Sequence, residues 1–306
     1  MATVACKLEG HLAQPAEYSN IVAPATAETA TILGITPPFP GSEQHILSLL
    51  SSDSLTNLIM AGFIRDNGFI NPINRGQFYV CRDGNDKIEG IALLGHSILF
   101  EAFSDRAIQS FAAFARRESS PHLLMGEHSA VERFWSYYAI EDESPRLVCP
   151  ILFLQRRGPF EQQPEVSGLR LATRNDLEHV VQAQAAMALE TSGVDPLKTD
   201  AAGFRERYLR RIEKKRVWVL IENGRLLFKT DIITDTPQAS YIEGVYVTPE
   251  ERGKGLGRRC LIALGSVLLE RSNGIYLFVE NQNTRTKSFY LKLGFSIAGQ
   301  YDLLYF

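Results

Sequence analysis

The sequence predicts an α/β protein (α+β in detail) built of two tandem domains. Three observations carry this. A chain of 306 residues is long enough for two ordinary domains with a sizeable core in each. Apolar alternation typical of strands and apolar spacing typical of helices follow one another along most of its length. Both halves then give the same order: helix, β-hairpin, strand, helix, strand, helix, strand. The repetition is one of element order, with no residue-level repeat beneath it.

The first forty residues form a lead-in. "QPAEYSNIVAPATAETATILGITPPFPG" (14–41) is rich in Ala, Thr and Pro and supports at most one short strand. A helix starts near Ser42 and breaks around Ser51–Ser54. "GQFYVCRDGNDKIEGIALLGHSILFEAF" (76–103) contains three β-rich runs, the first two joined at Asp83-Gly84-Asn85-Asp86. Ala107, Ile108, Phe111, Phe114 and Ala115 have helical spacing behind a Ser104 or Asp105 cap. A strand in "HLLMGEH", a helix in "SAVERFWSYYA" and a strand over 146–155 complete a first domain of 41–157. The Pro-containing, apolar-poor stretch around 158–167 predicts a linker.

The second domain, 168–306, opens with a strand at 169–173. A helix follows over 174–190, opened by Thr173 or Asn175 and Asp176, and a second helix covers about 200–215. Three strands occupy 216–247, with Asn223-Gly224 as a hairpin turn. A helix over 255–271, a strand over 274–280, a helix over 283–293 and two short strands over 294–306 close the chain.

Composition excludes several classes. A formal net charge of −3 disfavours general electrostatic binding of nucleic acid. Cys6, Cys81, Cys149 and Cys260 are scattered without C-x-x-C spacing, which fits free thiols in a reducing cytoplasm better than a disulfide framework or zinc site. His96, His122 and His128 are too separated in sequence to argue for a metal. No apolar run is long enough to span a bilayer, and the N-terminus has no secretory pattern. No metal, nucleic-acid partner or membrane partner is expected.

The most informative stretch is "VYVTPEERGKGLGRRC", 245–260, where an apolar strand becomes a helix across three alternating glycines. Leu256, Cys260, Leu261, Leu264, Val267 and Leu268 form one apolar stripe that packs this helix on a sheet. Its first turn presents backbone N–H groups without intrahelical partners. Gly253, Gly255 and Gly257 would let an anion approach them, and Lys254, Arg258 and Arg259 add positive charge. A tight turn that only joins strand to helix is the plainer alternative for any one Gly-x-Gly. The dinucleotide fingerprint fails, because Cys260 stands at its third glycine position and "TPEE" separates strand from loop. The triphosphatase loop is absent, and an NAD-dependent oxidoreductase is disfavoured accordingly.

"VYVTPEERGKGLG" resembles the acyl-CoA-binding motif of the GNAT superfamily of N-acetyltransferases, Arg/Gln-x-x-Gly-x-Gly/Ala, with Arg252, Gly255 and Gly257 at its fixed positions. "VENQNTRTKSFYLKLGF" resembles that family's closing motif through Asn283, Tyr290, Gly294 and Phe295, with Thr286 in place of a frequent Ala. The likeness covers about 168–306. It implies two GNAT-like domains, each a mixed, mostly antiparallel sheet flanked by helices, with splayed parallel central strands in the second. It implies an enzyme, an acyl-CoA-dependent N-acetyltransferase with acetyl-CoA as co-substrate and no metal.

The resemblance also implies site roles. Arg252, Gly253, Lys254, Gly255, Leu256, Gly257 and Arg258 would hold the pyrophosphate of coenzyme A. Val245, Tyr246 and Val247 would pair with its pantetheine arm, wedged between strands 240–247 and 274–280. Asn283 would bond to that arm, although an Asn opening a helix is also an ordinary cap. Gly244 suggests a bulge that would aim a backbone N–H at the thioester oxygen. Tyr290 would be the general acid, although beside Phe289 and Leu293 an aromatic also suits a core. Glu243 is a candidate base or a strand carboxylate paired with solvent. Glu190 and Asp195, in "ALETSGVDP", could line an acceptor cleft.

In the first half, "HSILFEAFSDRAIQSFAAFA" occupies the place of the motif strand and helix. Only Ser104-Asp105-Arg106 lies between Phe103 and the helix, with no glycine and with a carboxylate at the anion position. This domain is expected not to bind coenzyme A and to brace the second. The acceptor would be a small-molecule amine or a protein amino group, with acetyl or another short acyl chain transferred. A non-catalytic acyl-CoA-binding regulatory module is the alternative.

Overall fold

The computed structural model describes residues 33–51, 54–140, 143–161 and 165–306, with Ser192 described by its backbone alone. The expected lead-in lies mostly outside these residues; its last part carries strand β1 (Gly34–Thr36). The described chain divides into two compact units, one of 33–153 together with 298–306, the other of 154–297.

In the first unit, helices α1 (Glu43–Leu49) and α2 (Leu55–Asn67) precede β2 (Ile70–Asn71), β3 (Gly76–Arg82), β4 (Ile88–Gly95) and β5 (Ser97–Ala102). Helix α3 (Asp105–Glu118), β6 (Leu123–Glu127), α4 (His128–Tyr138) and β7 (Leu147–Arg156) follow. With β13 (Ser296–Tyr305), the strand order is β1-β3-β4-β5-β6-β13-β7, antiparallel from β1 through β5. Strands β5 and β6 run parallel but pair only at Ser97–Leu123 and Ile98–Leu124. The core is continuous from Phe100 and Phe111 through Phe134 and Trp135.

The last strand, β13, is one strand over Ser296–Tyr305 instead of the two short ones expected. Gly299 is not left-handed, so nothing turns the chain there. From Tyr301 to Tyr305 it pairs antiparallel with β6 of the first unit. Tyr301 Oη accepts the N–H of Leu55, an otherwise orphaned donor at the start of α2 (3.0 Å). Asp302, almost fully buried, meets His128 Nδ1 at 2.6 Å.

The second unit follows β8 (Leu169–Leu171) with helices α5 (Leu177–Ser192), α6 (Pro196–Thr199) and α7 (Ala201–Glu213), then strands β9 (Val217–Glu222), β10 (Arg225–Asp235) and β11 (Ser240–Val247). Helix α8 (Leu256–Leu269), β12 (Ile275–Glu280) and α9 (Thr284–Lys292) complete it. Its strand order is β12-β11-β10-β9-β8. The Asn223-Gly224 turn has positive φ at both residues, as a two-residue hairpin turn requires. The expected α8 stripe is buried at Leu256, Cys260, Leu261, Leu264 and Leu268, with Val267 at its half-buried edge. Strands β11 and β12 are parallel and pair only at Ser240–Ile275 and Tyr241–Tyr276, so their C-terminal ends diverge.

The segment expected as a loose linker is tied to this unit up to Glu161. Arg156 donates to Leu293 O (2.9 Å) and stacks over the Phe160 ring at 4.1 Å.

Helix α5 is entered through Asp176. Its carboxylate receives both guanidinium nitrogens of Arg170 (2.7 and 3.0 Å) and the N–H and hydroxyl of Thr173 (2.7 and 2.9 Å). Arg170 chiefly holds the carboxyl at about 2, below the usual range. A depressed folded-state pKa gives stability that is complete above about pH 4 and vanishes as pH falls through about 2. Arg170 is half-exposed, which discounts the Coulomb part. Asp176→Ala should cost roughly 1–2 kcal/mol at pH 7 by chemical denaturation. The gap to wild type should narrow between about pH 4 and 2.

Candidate functional site

The site forms where β11 turns into α8. Opposite β10, Phe228 pairs with Val247 and Lys229 with Tyr246, but Asp231 then pairs with Glu243. Strand β11 thus spends one extra residue at Gly244-Val245, a β-bulge. Gly244 adopts φ +62°, in the left-handed region that favours glycine. Beyond the bulge, Val245 and Val247 face the same cavity while Tyr246 does not line it.

After the one-turn helix Pro249–Glu251, Gly253 and Gly255 both adopt φ +81°; a Cβ would meet open space at Gly253 and only the Arg259 guanidinium, at 3.6 Å, at Gly255. Gly257 serves differently: a Cβ there would lie 3.0 Å from Val247 Cγ2, so its lack of a side chain sets how closely helix and strand approach. Arg252 N–H donates to Pro249 O, and Lys254 N–H donates to Glu251 O. Those two amides are turned inward, which narrows the cradle expected over 252–257. Among the described residues the N–H groups of Gly253, Gly255, Leu256, Gly257 and Arg258 donate to no backbone or side-chain acceptor; the first helical bond of the turn is Arg259 N–H to Gly255 O. They sit at the positive end of α8.

These groups border a cavity of about 400 Å³. Arg252, Arg258, Arg285 and Lys292 line it against one carboxylate, Glu251. Arg285 and Lys292 make no ion pair with any described residue. Unpaired amides, a helix N-terminus and an excess of cations together favour an extended polyanion such as a pyrophosphate.

Residues 187–295 match the family model of the acetyltransferase (GNAT) family. A GNAT domain thus lies at residues 187–295. No curated protein matches the chain. Among solved structures, the chain is similar to a GNAT-family acetyltransferase from Colwellia psychrerythraea (14% identity, 89% of this chain and 99% of that one, TM-score 0.57). It is also similar to a GCN5-related N-acetyltransferase from Sphaerobacter thermophilus (14% identity, 90% and 95%, TM-score 0.55). A third is a tandem GNAT protein from the clavulanic acid biosynthesis pathway, described without AcCoA (16% identity, 89% and 97%, TM-score 0.56). At these identities the likeness is one of fold, and it extends over both units.

Within the GNAT domain the remaining sequence candidates are distributed unevenly. On α9, Arg285, Phe289, Lys292 and Leu293 line the cavity. Their spacing of i, i+4, i+7 and i+8 is one helix face. Tyr290 lies one residue off that face. It is buried, its ring edge-on to Phe289 and Phe295, and burial pushes its phenol upward, so it stays protonated at neutral pH. Asn283 Oδ1 accepts Thr286 N–H (3.0 Å) as the cap of α9 and does not line the cavity. Glu243 accepts a hydrogen bond from Tyr241 Oη at 2.6 Å. Glu190 lies 3.6 Å from Arg252, and Asp195 caps α6 by accepting Leu197 N–H. Lys254 does not line the cavity but pairs with Glu251, which does.

Behind the bulge lies a charged group of side chains that the motifs gave no sign of. Lys229 and Asp231, on β10, are 0% and 1% exposed. Arg211, from α7, donates to Asp231 Oδ2 at 3.0 Å. Desolvation lowers the Lys229 ammonium pKa, and Asp231 opposes that shift.

In the first unit, Ser104 stands where the glycine loop would be. Its Oγ accepts the Ala107 N–H at 3.3 Å, occupying the first turn of α3 with the chain's own side chain. Asp105 beside it receives the Tyr137 hydroxyl and lies near Arg133. His96 and His122, distant in sequence, stack at 5.0 Å between centroids. No group of three or more metal-ligating side chains is assembled among the described residues, and no described helix is long and apolar enough to cross a membrane.

Cys260 lies on the buried face of α8, and burial pushes its thiol to about 12; Cys81 is raised to about 11. Cys81, Cys149 and Cys260 should therefore resist iodoacetamide in the native protein and react once it is unfolded, as mapped by mass spectrometry. Rapid native modification of Cys260 would show that α8 is not seated as described.

Proposed function

We propose that the protein is an acyl-CoA-dependent N-acyltransferase, moving an acetyl or other short acyl group to a primary amine by direct attack on the thioester. The observation that carries it is the set of unpaired amides at Gly253 and Gly255 to Arg258 facing a cation-lined cavity. The donor set fits a diphosphate: N–H groups bond its oxygens, and Arg258, Arg285 and Lys292 balance its charge. When bound, acetyl-CoA supplies the activated acyl group; the protein supplies position and proton management.

The divergence of β11 from β12 after Tyr241 leaves room for the pantetheine arm along Val245 and Val247. Glu243 is the proposed base that takes a proton from the amine, with the Tyr241 hydroxyl fixing one of its oxygens. Tyr290 is the proposed acid for the departing thiolate. Its raised pKa keeps the proton in place but weakens it as an acid, so its contribution belongs at the low end for such groups. Glu190 and Asp195 border the acceptor side in this proposal. The first unit, whose equivalent turn is filled by Ser104, does not bind coenzyme A in this reading. The buried thiols suit a reducing cytoplasm.

A non-catalytic acyl-CoA-binding module is favoured by one observation, the position of Tyr290 outside the cavity wall. Calorimetry with acetyl-CoA and a CoA-release assay across amine classes separate the two. The enzyme binds and releases CoA with some amine; the module binds and releases none. Failure to bind acetyl-CoA would overturn both.

Gly255→Val should weaken acetyl-CoA binding about 10-fold or more, ~1.4 kcal/mol, since valine resists φ +81° and crowds the cradle. Tyr290→Phe should lower kcat about 10- to 100-fold with acetyl-CoA affinity unchanged. Unaltered kcat would remove Tyr290 from the acid role.

A further inference from the structure

Lys229 is the least exposed charged side chain near the site, at 0%. Its ammonium has three donors, and three acceptors surround it: Gln184 Oε1 on α5 at 2.5 Å, Asp231 Oδ2 at 2.8 Å and the carbonyl oxygen of Gly244 at 3.4 Å. Arg211 shares the same carboxylate oxygen of Asp231, and the Tyr208 ring lies 5.4 Å from the ammonium. The other oxygen, Asp231 Oδ1, is buried without a hydrogen-bond partner.

Such an arrangement is a poor device for stability alone. Burying two cations and a carboxylate costs several kcal/mol per ion, and apolar residues of equal volume often do as well. The third acceptor is informative, because it belongs to the bulge. A trans peptide holds its C=O and the following N–H on opposite sides. With the Gly244 oxygen held toward Lys229, the Val245 N–H points the other way, and Val245 is a residue of the cavity wall.

Gly244 itself is doubly constrained. Its φ is +62°, and a Cβ there would lie 2.8 Å from Lys229 Nζ, 3.1 Å from Gln184 Oε1 and 3.2 Å from Asp231 Oδ2. Backbone and ammonium thus approach one another at a distance that only glycine permits.

We propose that Lys229 is a positioning residue for acyl transfer, whose ammonium, oriented by Asp231 and Gln184, holds the Gly244 carbonyl so that the Val245 N–H faces the acyl oxygen. This rests on the acyl-transfer reading above. Lys229 reaches neither substrate nor reacting atoms; it acts through the peptide it grips. As negative charge grows on the acyl oxygen, a donor already in place stabilises it without reorganisation.

The test uses the full chain, 15N-labelled, as wild type and as Lys229→Met, which keeps the side-chain length and removes the charge. Acetyl-CoA and CoA are titrated separately while the Val245 amide resonance is followed. In wild type, both should move that resonance, since both carry the pantetheine arm, and acetyl-CoA should move it further, because only acetyl-CoA carries the acyl oxygen. In Lys229→Met the difference should disappear, the acetyl-CoA dissociation constant should stay within about 2-fold, and kcat with any accepted amine should fall about 100-fold. An undiminished Val245 response in the variant, or unchanged kcat, overturns the proposal. If neither nucleotide binds wild type, the acyl-transfer reading fails and takes the clamp with it. If both bind but no amine is acylated, the Val245 comparison alone decides the clamp. Should Lys229→Met not fold, wild type still tests the assigned direction of the N–H: a Val245 shift no larger with acetyl-CoA than with CoA contradicts it, and an added shift with acetyl-CoA supports it.

Discussion

The first turn of helix α8 cannot satisfy its own amides, and the chain does not satisfy them with side chains. Two left-handed glycines, Gly253 and Gly255, carry the backbone from strand to helix, and the N–H groups of residues 253 and 255 to 258 find no acceptor among the described residues. A Ser, Thr or Asp cap in place of Gly255 would have stabilised the helix by roughly a few tenths of a kcal/mol. Its omission leaves a concentrated patch of donors at the positive end of a 14-residue helix. The cations on α9, the gap beside β11 and the bulge at Gly244 all acquire a purpose relative to that patch.

The first unit shows what the same framework looks like with the turn filled. Strands β5 and β6 are parallel over two residue pairs, as β11 and β12 are. A helix follows the first of them in both units. Yet Ser104 caps α3 from within, and Asp105 is engaged by Tyr137. With Ser104 on the Ala107 N–H and a carboxylate at Asp105, that turn offers an anion fewer donors and a repelling charge. The contrast separates what the fold provides, a splayed pair of strands, from what a few loop residues provide.

Much of this was legible in the sequence, since it rests on local chemistry. Helix caps, the Asn223-Gly224 turn, the α8 stripe and the glycine loop depend on neighbours a few residues apart. The cavity-facing set on α9 was also within reach, because Arg285, Phe289, Lys292 and Leu293 repeat with the period of a helix; the motif drew attention to Tyr290, one position off that face. Lys229 and Asp231 were not legible. In "LLFKTDIIT" they form a polar run with Thr230, as an exposed part of a strand would, and their enclosure involves Gln184 from α5 and Arg211 from α7. The pairing of Tyr301 to Tyr305 with β6, and the stacking of His96 on His122, likewise depend on partners distant in sequence. Where a long-range partner decides a residue's environment, local pattern does not reveal it.

The most direct measurement is a backbone NMR titration with adenosine 3′,5′-bisphosphate, CoA and pyrophosphate, following the amides of Gly253 and Gly255 to Arg258. The account predicts that CoA and pyrophosphate shift these amides strongly, while adenosine 3′,5′-bisphosphate, which lacks a diphosphate, leaves them nearly unmoved. Shifts confined to other parts of the chain, or none at all with CoA, would contradict it.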